Sequence, residues 1–519
     1  MNIVFILKKE SMKNKLFITS LLAGMLLSFS ACDDYLDINF DPSNPQVAEG
    51  FAVLPPILSQ MARGESFDTR YIGSYTQNWA RNTSNYATDL HGYFSGSDAL
   101  GDIWRSHYWS IGKNVDLIIA EATKKEQWDY IGVSQAIRAW SWQTLTDYHG
   151  EVILKQAWEP NRFVFDYDSQ EEVYAEVQRL SNLALENLNK TDGGVSQASL
   201  ARGDLVYKGD RSKWTKFVYA VLARNANHLS NKSSYNPDKV IEYCNKSLAS
   251  NDDNFGIPHA GTSSTDGNFY GPTRQNVQVF RPTNFFVNLL NGTVFSGVQD
   301  PRISLMITAS PDGIYRGVDP GKGDPTNTTA NNATTRIPTF WGNSPSVTNV
   351  AQISGKYIFT DKANHFIFTY AEIQFMKAEA AFKKGDKAMA YDAFKKGITA
   401  HMDFTKVPAA QRDAYLASAA VPQSADALTI SDIMLQKYIA MWVLGSIETW
   451  VDMRRYDYSS SVYKGFAFPT AFYIDNNGKP AYRVRPRYNS EYVWNLESLA
   501  KFGGDKADYH TVKPWFMLP

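Results

Sequence analysis

The sequence predicts a mainly α-helical protein in which tetratricopeptide-like helix pairs form a scaffold for a loop-rich half. Apolar residues recur every three or four positions over about 51–250, which is the period of a helix buried on one face. That pattern stops over about 251–360, where Gly, Ser, Thr, Asn, Asp and Pro dominate. It returns over about 370–402 as two helices joined by a short turn. We therefore expect one large domain over 51–519, with helical parts on both sides of an irregular excursion.

The first helical region repeats the same apolar spacing several times. Ile111, Val115 and Ile118 fall on one stripe, and Val173 and Val177 begin another. A stripe of this kind packs a helix against a core. This part of the chain is therefore predicted to be a stack of amphipathic helices.

The excursion over about 251–360 differs from the rest of the domain in composition. One short apolar helix is predicted around Phe285 to Leu290, and the remainder is typical of turns and loops. A mostly irregular stretch of this length inside a compact protein is usually functional. A poorly ordered excursion is the alternative interpretation.

The helix pair over 370–402 matches the tetratricopeptide pattern, which places small residues where two helices touch. Those residues are Ala378, Ala390 and Gly397, with Phe394 between them. Gly385 can end the first helix in a left-handed conformation, and Asp386 can cap the second. A generic helical hairpin would have the same architecture. Such pairs stack into a curved, right-handed scaffold.

The first 31 residues are predicted to be an export signal. Several lysines precede a nearly unbroken apolar run from Leu16 to Phe29, which is shorter than the roughly 20 residues of a permanent membrane helix. Phe29-Ser30-Ala31-Cys32 resembles the bacterial lipobox, in which the cysteine is acylated and becomes the first residue. Cys32 would then hold the protein on a membrane, at about 0.8 kcal/mol per buried methylene. A buried first helix and an unmodified cysteine are the alternatives.

Residues 32–50 are predicted to be the lipidated tether. Asp41-Pro42-Ser43-Asn44-Pro45 combines proline with small polar residues, which favours an extended segment. No later segment is long and apolar enough to span a bilayer. The sequence therefore predicts a protein that is anchored to a membrane and not embedded in it.

Charge and cysteine content exclude several classes of protein. Lys and Arg number 52 against 53 Asp and Glu, without the basic surplus that marks a nucleic-acid-binding protein. The two cysteines, Cys32 and Cys244, provide neither a disulfide framework nor a paired-cysteine metal site. No His-Glu-x-x-His helix, Gly-x-Ser-x-Gly elbow or phosphate-binding glycine loop occurs. We therefore expect no cofactor and no catalysis. A glycosidase needs two carboxylates across a cleft, but with 53 acidic residues some pair will always be available, so the presence of carboxylates does not indicate an enzyme.

Short motifs follow one another in order along nearly the whole chain. They are Cys32-Asp33-Asp34-Tyr35-Leu36-Asp37, Tyr148-His149-Gly150-Glu151-Val152, Asp300-Pro301-Arg302, the helix pair over 370–402, Trp450-Val451-Asp452-Met453-Arg454-Arg455 and Arg485-Pro486-Arg487-Tyr488. With this order and the lipobox, the chain resembles the SusD/RagB lipoproteins, the surface-exposed glycan-binding partners of TonB-dependent transporters in gut Bacteroidetes. Ile153 stands where that family has a proline.

The resemblance implies a mostly α-helical fold, with four tetratricopeptide pairs cradling a variable ligand-binding half. It implies a lipid-anchored protein on the outer face of the outer membrane that binds an oligosaccharide and delivers it to a SusC-like TonB-dependent transporter. A peptide-binding subunit like RagB, a structural lid on the transporter and an α-helical glycosidase are the alternative functions. The acidic residues directly after Cys32 resemble the surface-export signals of such lipoproteins.

A sugar ring has an apolar face and a rim of hydroxyls, so its capture requires flat aromatic rings beside Asn, Asp or Arg. In the resemblance, ligand contacts come from loops after the first helices and from the mid-chain excursion. The predicted ligand-binding residues in those two regions are Trp79, Arg81, Asn82, Asn85, Tyr86 and Asp89, then Tyr270, Arg274, Trp341 and Asn343. Each aromatic residue could instead pack its loop onto the scaffold.

Other aromatic and polar residues are predicted to be structural. Trp104, Trp109, Trp140 and Trp142 lie at helical spacing and are expected in the core. The polar run around Asp266 offers oxygen atoms to a calcium ion but lacks the spacing of a binding loop, so a turn is expected there.

Asp452, Arg454 and Arg455 resemble an active site in residue type. Perturbed charges also occur in structural networks, and an interior ion-pair network that fixes the helix end is the preferred interpretation.

Overall fold

Helices dominate the residues that the structure, a computed structural model, describes: 48–326, 334–342 and 355–519. In chain order the α-helices are α1 Gly50–Tyr75, α2 Asp102–Arg105, α3 Gly112–Lys124, α4 Trp128–His149, α5 Gln170–Asn189, α6 Gln197–Gly203, α7 Arg211–His228, α8 Pro237–Lys246, α9 Asn284–Leu290, α10 Ile303–Met306, α11 Tyr370–Lys384, α12 Lys387–Phe404, α13 Ala409–Leu416, α14 Ile430–Met441, α15 Ser446–Arg455 and α16 Leu496–Ala500. The predicted export signal, Cys32 and Asn343 lie outside the described residues. Among the described helices, none combines the length and apolar character needed to cross a bilayer.

Pairs of consecutive helices build the scaffold. The pairs in the described chain are α4 with α5, α7 with α8, α11 with α12, and α14 with α15. Successive pairs also touch, because α5 packs on α7, α8 on α11, and α11 on α14. The predicted mainly α-helical scaffold of stacked pairs is confirmed.

The contact between α11 and α12 explains why small residues recur there. Ala378 and Ala390 are fully buried. A Cβ atom at Gly397 would lie 2.8 Å from ring carbons of Phe375, which is closer than real Cβ contacts come. The missing side chain therefore lets the Phe375 ring lie directly on the backbone of α12.

The turn between α11 and α12 follows the sequence prediction. Gly385 ends α11 in the left-handed region, at a φ of 88°. The Asp386 carboxylate accepts a hydrogen bond from the Met389 N–H at 3.0 Å and so caps α12. Both predicted roles are confirmed.

The excursion over 251–360 is mostly irregular in its described parts. It contains α9, which confirms the short apolar helix predicted there, and the short α10. Strand β1, Trp79–Arg81, pairs antiparallel with β3, Phe280–Pro282, and β2, Phe255–Ile257, pairs antiparallel with β4, His365–Phe368. These two ribbons join the excursion to the loop after α1 and to the segment before α11.

Buried charges hold the second half of the scaffold together. Lys437 on α14 lies 2.7 Å from Asp452 and 3.1 Å from Glu448 on α15. Arg455 lies 2.6 Å from Asp452 and 2.7 Å from Glu379 on α11. All five side chains are buried. The interior ion-pair network predicted for Asp452 and Arg455 is confirmed.

Arg454 differs from that prediction, because it is paired with carbonyl groups and not with a carboxylate. Its guanidinium donates to the backbone carbonyls of Trp450, Tyr482 and Asp147, at 3.1, 2.9 and 2.8 Å. Burial lowers the pKa of Arg454 to about 10. Its role is to tie α15 to α4 and to the C-terminal segment through hydrogen bonds.

Replacing Gly397 should destabilise the α11–α12 contact. In Gly397→Ala the new Cβ would overlap the Phe375 ring, so we expect a loss of about 1–3 kcal/mol in the free energy of unfolding. Urea unfolding followed by circular dichroism measures it. Lys396→Ala, an exposed position on the same helix, is the control and should change stability by less than about 0.5 kcal/mol. Equal stability of the two variants would contradict the close packing.

The buried network should make stability depend on pH through His228. Its imidazole lies 2.9 Å from Glu448 and 3.1 Å from Asp147. Burial disfavours the charged ring, but the two carboxylates outweigh burial and raise the pKa of His228 to about 9. Since this pKa lies above the ordinary value near 6.5, the contribution is complete below about pH 6.5 and is lost as the pH rises towards 9.

We therefore expect the free energy of unfolding to fall by about 3 kcal/mol between pH 6.5 and 9. Urea unfolding across this range should show the slope in the unsubstituted protein and not in His228→Gln. His149→Gln is the matched control, because burial lowers the pKa of His149 to about 3 and this ring stays neutral throughout. A slope retained in His228→Gln would contradict the assignment.

Candidate functional site

Pairing of β1 with β3 brings together the two regions that contain the predicted ligand-binding residues. Arg81 lies opposite Phe280 in this ribbon. Beyond it, the Asn82 N–H donates to the Val279 carbonyl at 2.9 Å. The loop after α1 therefore lies directly against the excursion.

Three of the predicted aromatic residues lie inside the protein. Trp79, Tyr270 and Trp341 are 0%, 2% and 3% exposed. The Trp79 indole N–H donates to the Arg70 carbonyl at 3.1 Å, and the Trp341 indole N–H donates to the Tyr270 carbonyl at 2.8 Å. No ring face is left for a sugar, so we correct the expectation for these three residues. They pack the loops onto the scaffold, which is the alternative noted for them.

Asp89 is likewise buried and organises the loop from within. Its Oδ2 atom accepts a hydrogen bond from the Arg81 N–H at 2.9 Å and lies 3.5 Å from the Gly321 N–H. Burial is the main effect on this carboxyl and raises the pKa of Asp89 to about 6. The prediction that Asp89 contacts ligand is corrected in the same way.

The two asparagines of the loop lie nearer the surface. Asn85 is exposed and adopts a left-handed φ of 56°, and its N–H donates to the Gly321 carbonyl at 2.9 Å. Asn82 is half-buried, and its carbonyl accepts from the Asp324 N–H at 3.0 Å. Backbone bonds on both sides thus hold this loop in one conformation.

Arg81, Tyr86 and Arg274 converge on one surface with residues that the sequence analysis did not select. We call this surface the loop face. Its members are Phe67, Arg70, Tyr71, Arg81, Tyr86, Phe94, Phe269 and Arg274. All are half-buried except Phe269, which is buried beneath the others. Segments from α1, the following loop and the excursion contribute to it.

The first part of the loop face alternates guanidinium groups with rings. Arg274 lies 5.5 Å from the centre of the Phe269 ring, which contacts Phe67 at 6.0 Å. Arg70 lies 4.5 Å from the Phe67 ring and 4.7 Å from the Tyr71 ring. Such cation–π contacts hold the planar groups of α1 and the excursion side by side.

The second part continues from Tyr71 across the loop. Phe94 lies between Tyr71 and Tyr86, with ring centres 5.5 and 5.6 Å apart. Arg81 then lies 4.3 Å from the centre of the Tyr86 ring. The whole row presents apolar ring surface next to hydrogen-bond donors, which is the combination that a sugar ring requires.

A small pocket adjoins the loop face at Phe94. Its volume is about 100 Å³, and Tyr93, Tyr488 and Tyr492 line it together with Phe94. The rings of Tyr488 and Tyr492 stack 5.8 Å apart, and Arg485 lies 4.5 Å from the Tyr93 ring. The aromatic surface therefore extends beyond the loop to the C-terminal segment.

A second surface surrounds Trp109, which is 73% exposed. It flanks a groove of about 540 Å³ that is also lined by Tyr108, Trp158 and Asn161. The expectation that Trp109 belongs to the core is wrong, because the residue lies in a π-helical turn, Ser106–Ile111, that turns its side chain outward. We call this surface the Trp109 groove.

The other three tryptophans of that group, Trp104, Trp140 and Trp142, are buried as predicted. Helical spacing alone did not separate them from Trp109.

The residues of α1 on the loop face were not among the predicted ligand-binding residues. Phe67, Arg70 and Tyr71 are spaced three and four apart, the same spacing that marks a core-facing stripe. Arg70 within that stripe is the signal that could have identified them, since an arginine is seldom fully buried unless paired.

The polar run at 262–268 forms a turn. The Asp266 carboxylate accepts hydrogen bonds from the N–H groups of Thr262 and Ser263, at 2.9 and 2.7 Å. Bonds from the Thr262 hydroxyl and the Ser263 N–H lower the pKa of Asp266 to about 2. Its oxygen atoms are thus already engaged by the turn.

The family model of SusD-like proteins, described as starch-binding and associating with the outer membrane, matches residues 42–484. The chain belongs to the SusD-like family. The match includes α1, both loop regions and every helix pair of the scaffold. It confirms the SusD/RagB resemblance, and with it the association of such proteins with glycans and the outer membrane. No curated protein matches this chain in sequence.

Solved structures of the same family share the fold. A SusD/RagB family protein from Bacteroides thetaiotaomicron has a TM-score of 0.68 at 20% identity, with 91% of this chain and 99% of that chain covered. A SusD homolog from Bacteroides uniformis has a TM-score of 0.67 at 17% identity, covering 91% and 99%. A chitin-binding SusD homolog from Flavobacterium johnsoniae has a TM-score of 0.67 at 18% identity, covering 90% and 98%.

Proposed function

We propose that this SusD-like protein captures an oligosaccharide on the loop face and delivers it, without cleaving it, to a TonB-dependent transporter. The observation that carries the proposal is the row of half-buried rings and guanidinium groups from Arg274 to Arg81. The family description as starch-binding supports a glycan ligand, and so does the chitin binding named for the Flavobacterium homolog.

The loop face suits capture and release. The C–H faces of sugar rings would lie on Tyr71, Phe94 and Tyr86, while Arg81 and Arg274 donate hydrogen bonds to the hydroxyl rim. A half-buried surface leaves one side of the sugar in contact with water. Moderate affinity follows, as delivery requires, because a ligand that is not enclosed can leave again.

The proposal also includes acylation of Cys32 and association with a SusC-like transporter. Fatty acid on Cys32 would hold the protein on the outer membrane, and the domain would close over the mouth of a SusC-like barrel. Both steps extend the family's description as associating with the outer membrane.

Removing one ring of the loop face should weaken glycan binding. Tyr86 stacks under Arg81 and beside Phe94, so in Tyr86→Ala we expect about tenfold weaker binding, as for the loss of about 1.4 kcal/mol. Isothermal titration against a panel of oligosaccharides and peptides measures it. Tyr243→Ala is the matched control, because this half-buried tyrosine on α8 also contacts a cation, Lys239 at 4.9 Å, but lies outside the loop face.

Three outcomes of this titration would contradict the proposal. If Trp109→Ala abolishes binding and Tyr86→Ala does not, the Trp109 groove is the site. Binding of peptides without sugars would favour the RagB-like alternative. Shortened oligosaccharides after incubation would identify an enzyme.

The transporter partner can be tested in the native membrane. Affinity purification of the protein from solubilised outer membranes should recover a large β-barrel protein in about equal amount. Cys32→Ala should remove label from clickable palmitate and release the protein from the membrane fraction. A palmitate label retained in Cys32→Ala, or purification without a barrel, would contradict this part of the proposal.

A further inference from the structure

Four arginines on and beside the loop face lack acidic partners. They are Arg63, Arg70, Arg81 and Arg274. Within the part of the chain that the structure describes, no carboxylate lies within 4.0 Å of any of them. Several arginines elsewhere on the surface do have such partners, for example Arg138 with Asp116 at 2.8 Å and Arg412 with Asp403 at 2.6 Å.

Two carboxylates near the loop face are engaged by hydrogen-bond donors of the protein itself. Asp68 is buried and accepts hydrogen bonds from the N–H groups of Asp102 and Ile103, at 3.3 and 2.9 Å. Asp361 is bonded to the N–H and the hydroxyl of Thr273, at 3.1 and 2.8 Å. These acids organise the loops, and neither of them lies within 4.0 Å of one of the four arginines.

Burial also favours the uncharged form of Asp68 and of Asp89, the buried carboxyl beneath the loop after α1. It is the main cause that raises the pKa of Asp68 well above its usual range and the pKa of Asp89 to about 6. Among the arginines, the pKa of Arg274 is lowered, mainly by burial and also by the positive charge of Arg63. Arg63 and Arg274 are therefore close enough to repel each other.

Some N–H donors of the loop-face arginines have no hydrogen-bond acceptor. The Nε atoms of Arg70 and Arg81 are buried and have no hydrogen-bond partner. Arg70 donates from Nη2 to the Tyr71 hydroxyl at 2.7 Å, so one group of this guanidinium is engaged. Stacking on the rings positions the guanidinium planes but leaves N–H donors without acceptors.

We infer that the oligosaccharide taken by the loop face is acidic and carries carboxylate or sulfate groups. This inference rests on the proposed function and specifies its substrate class. A guanidinium binds a planar carboxylate or a sulfate through paired hydrogen bonds, and the adjacent rings hold the sugar faces. A neutral glycan would leave the mutual repulsion of the arginines uncompensated.

Titration of the intact protein with matched hexasaccharides tests the inference. Oligogalacturonate carries carboxylates without sulfate, chondroitin sulfate carries both groups, and maltohexaose and chitohexaose are neutral. We expect at least one acidic sugar to bind tenfold or more tightly than either neutral sugar at low salt. That binding should weaken at least fivefold between 20 and 300 mM NaCl, because the guanidinium groups are screened. Binding of oligogalacturonate would show that carboxylates suffice without sulfate.

Charge removal at single positions supplies the decisive comparison. Arg81→Gln and Arg274→Gln should each weaken acidic-sugar binding about tenfold and weaken any neutral-sugar binding much less, because glutamine keeps an N–H donor for a hydroxyl but loses the positive charge and the paired donors. Arg179→Gln, exposed on α5, changes the net charge equally and should have no effect. Arg63→Gln, at an exposed position beside the loop face, removes one charge without disturbing buried contacts and should also weaken acidic-sugar binding.

The outcomes separate this inference from the proposed function. Equal, salt-independent binding of neutral and acidic sugars would overturn the acidic specificity and retain glycan capture. No binding of any sugar would overturn both. Equal loss in Arg179→Gln and Arg81→Gln would show that net charge alone is responsible and would also overturn the inference.

Discussion

A buried lattice of opposite charges determines how the helices of this scaffold can be arranged. Lys437 and Arg455 share Asp452, while Arg224 on α7 reaches Glu372 on α11 at 2.5 Å and His228 bridges to Glu448. Removing one partner would leave a charge uncompensated in the interior, which costs about 3–5 kcal/mol. The lattice therefore permits few alternative packings of α7, α11, α14 and α15. The loops that are attached to these helices are fixed in position as a result.

Asn78 ties the loop face to the helices that this lattice fixes. Asn78 precedes β1 directly and is fully buried. Its side-chain oxygen accepts hydrogen bonds from the Val443 N–H and the Ser446 hydroxyl, both at 2.9 Å, between α14 and α15. Its backbone carbonyl accepts from the Trp442 indole N–H, also at 2.9 Å. The chain thus leaves the rigid scaffold at a defined point, and Arg81 and Tyr86 follow within eight residues.

Local patterns predicted the scaffold well because its determinants are local. Helical periodicity and the Gly385-Asp386 turn specify α11 and α12 from neighbouring residues. The site depends instead on pairing across about 200 residues, since β1 meets β3. Residue type marked both loops as candidates, but it could not show that Trp79 turns inward while Tyr86 remains at the surface. Trp79 lies in β1 and packs on Phe280 and Phe340 in the core, whereas Tyr86 lies in the loop that follows the strand.

Net charge gave no indication of the loop face, for a physical reason. The chain is almost neutral at −1 because it has about as many acids as bases, but the two are not distributed alike. Interior arginines have either a carboxylate beside them, as Arg455 has, or several carbonyl groups, as Arg454 has, because a buried charge without partners is too costly. At a half-buried surface the cost is smaller, and water can solvate the guanidinium groups until a ligand replaces it. A positive binding surface can therefore form on a protein whose net charge is close to zero. Its affinity for a ligand stays moderate, because salt screens the charges and the bound ligand is only partly enclosed, so the ligand can be released.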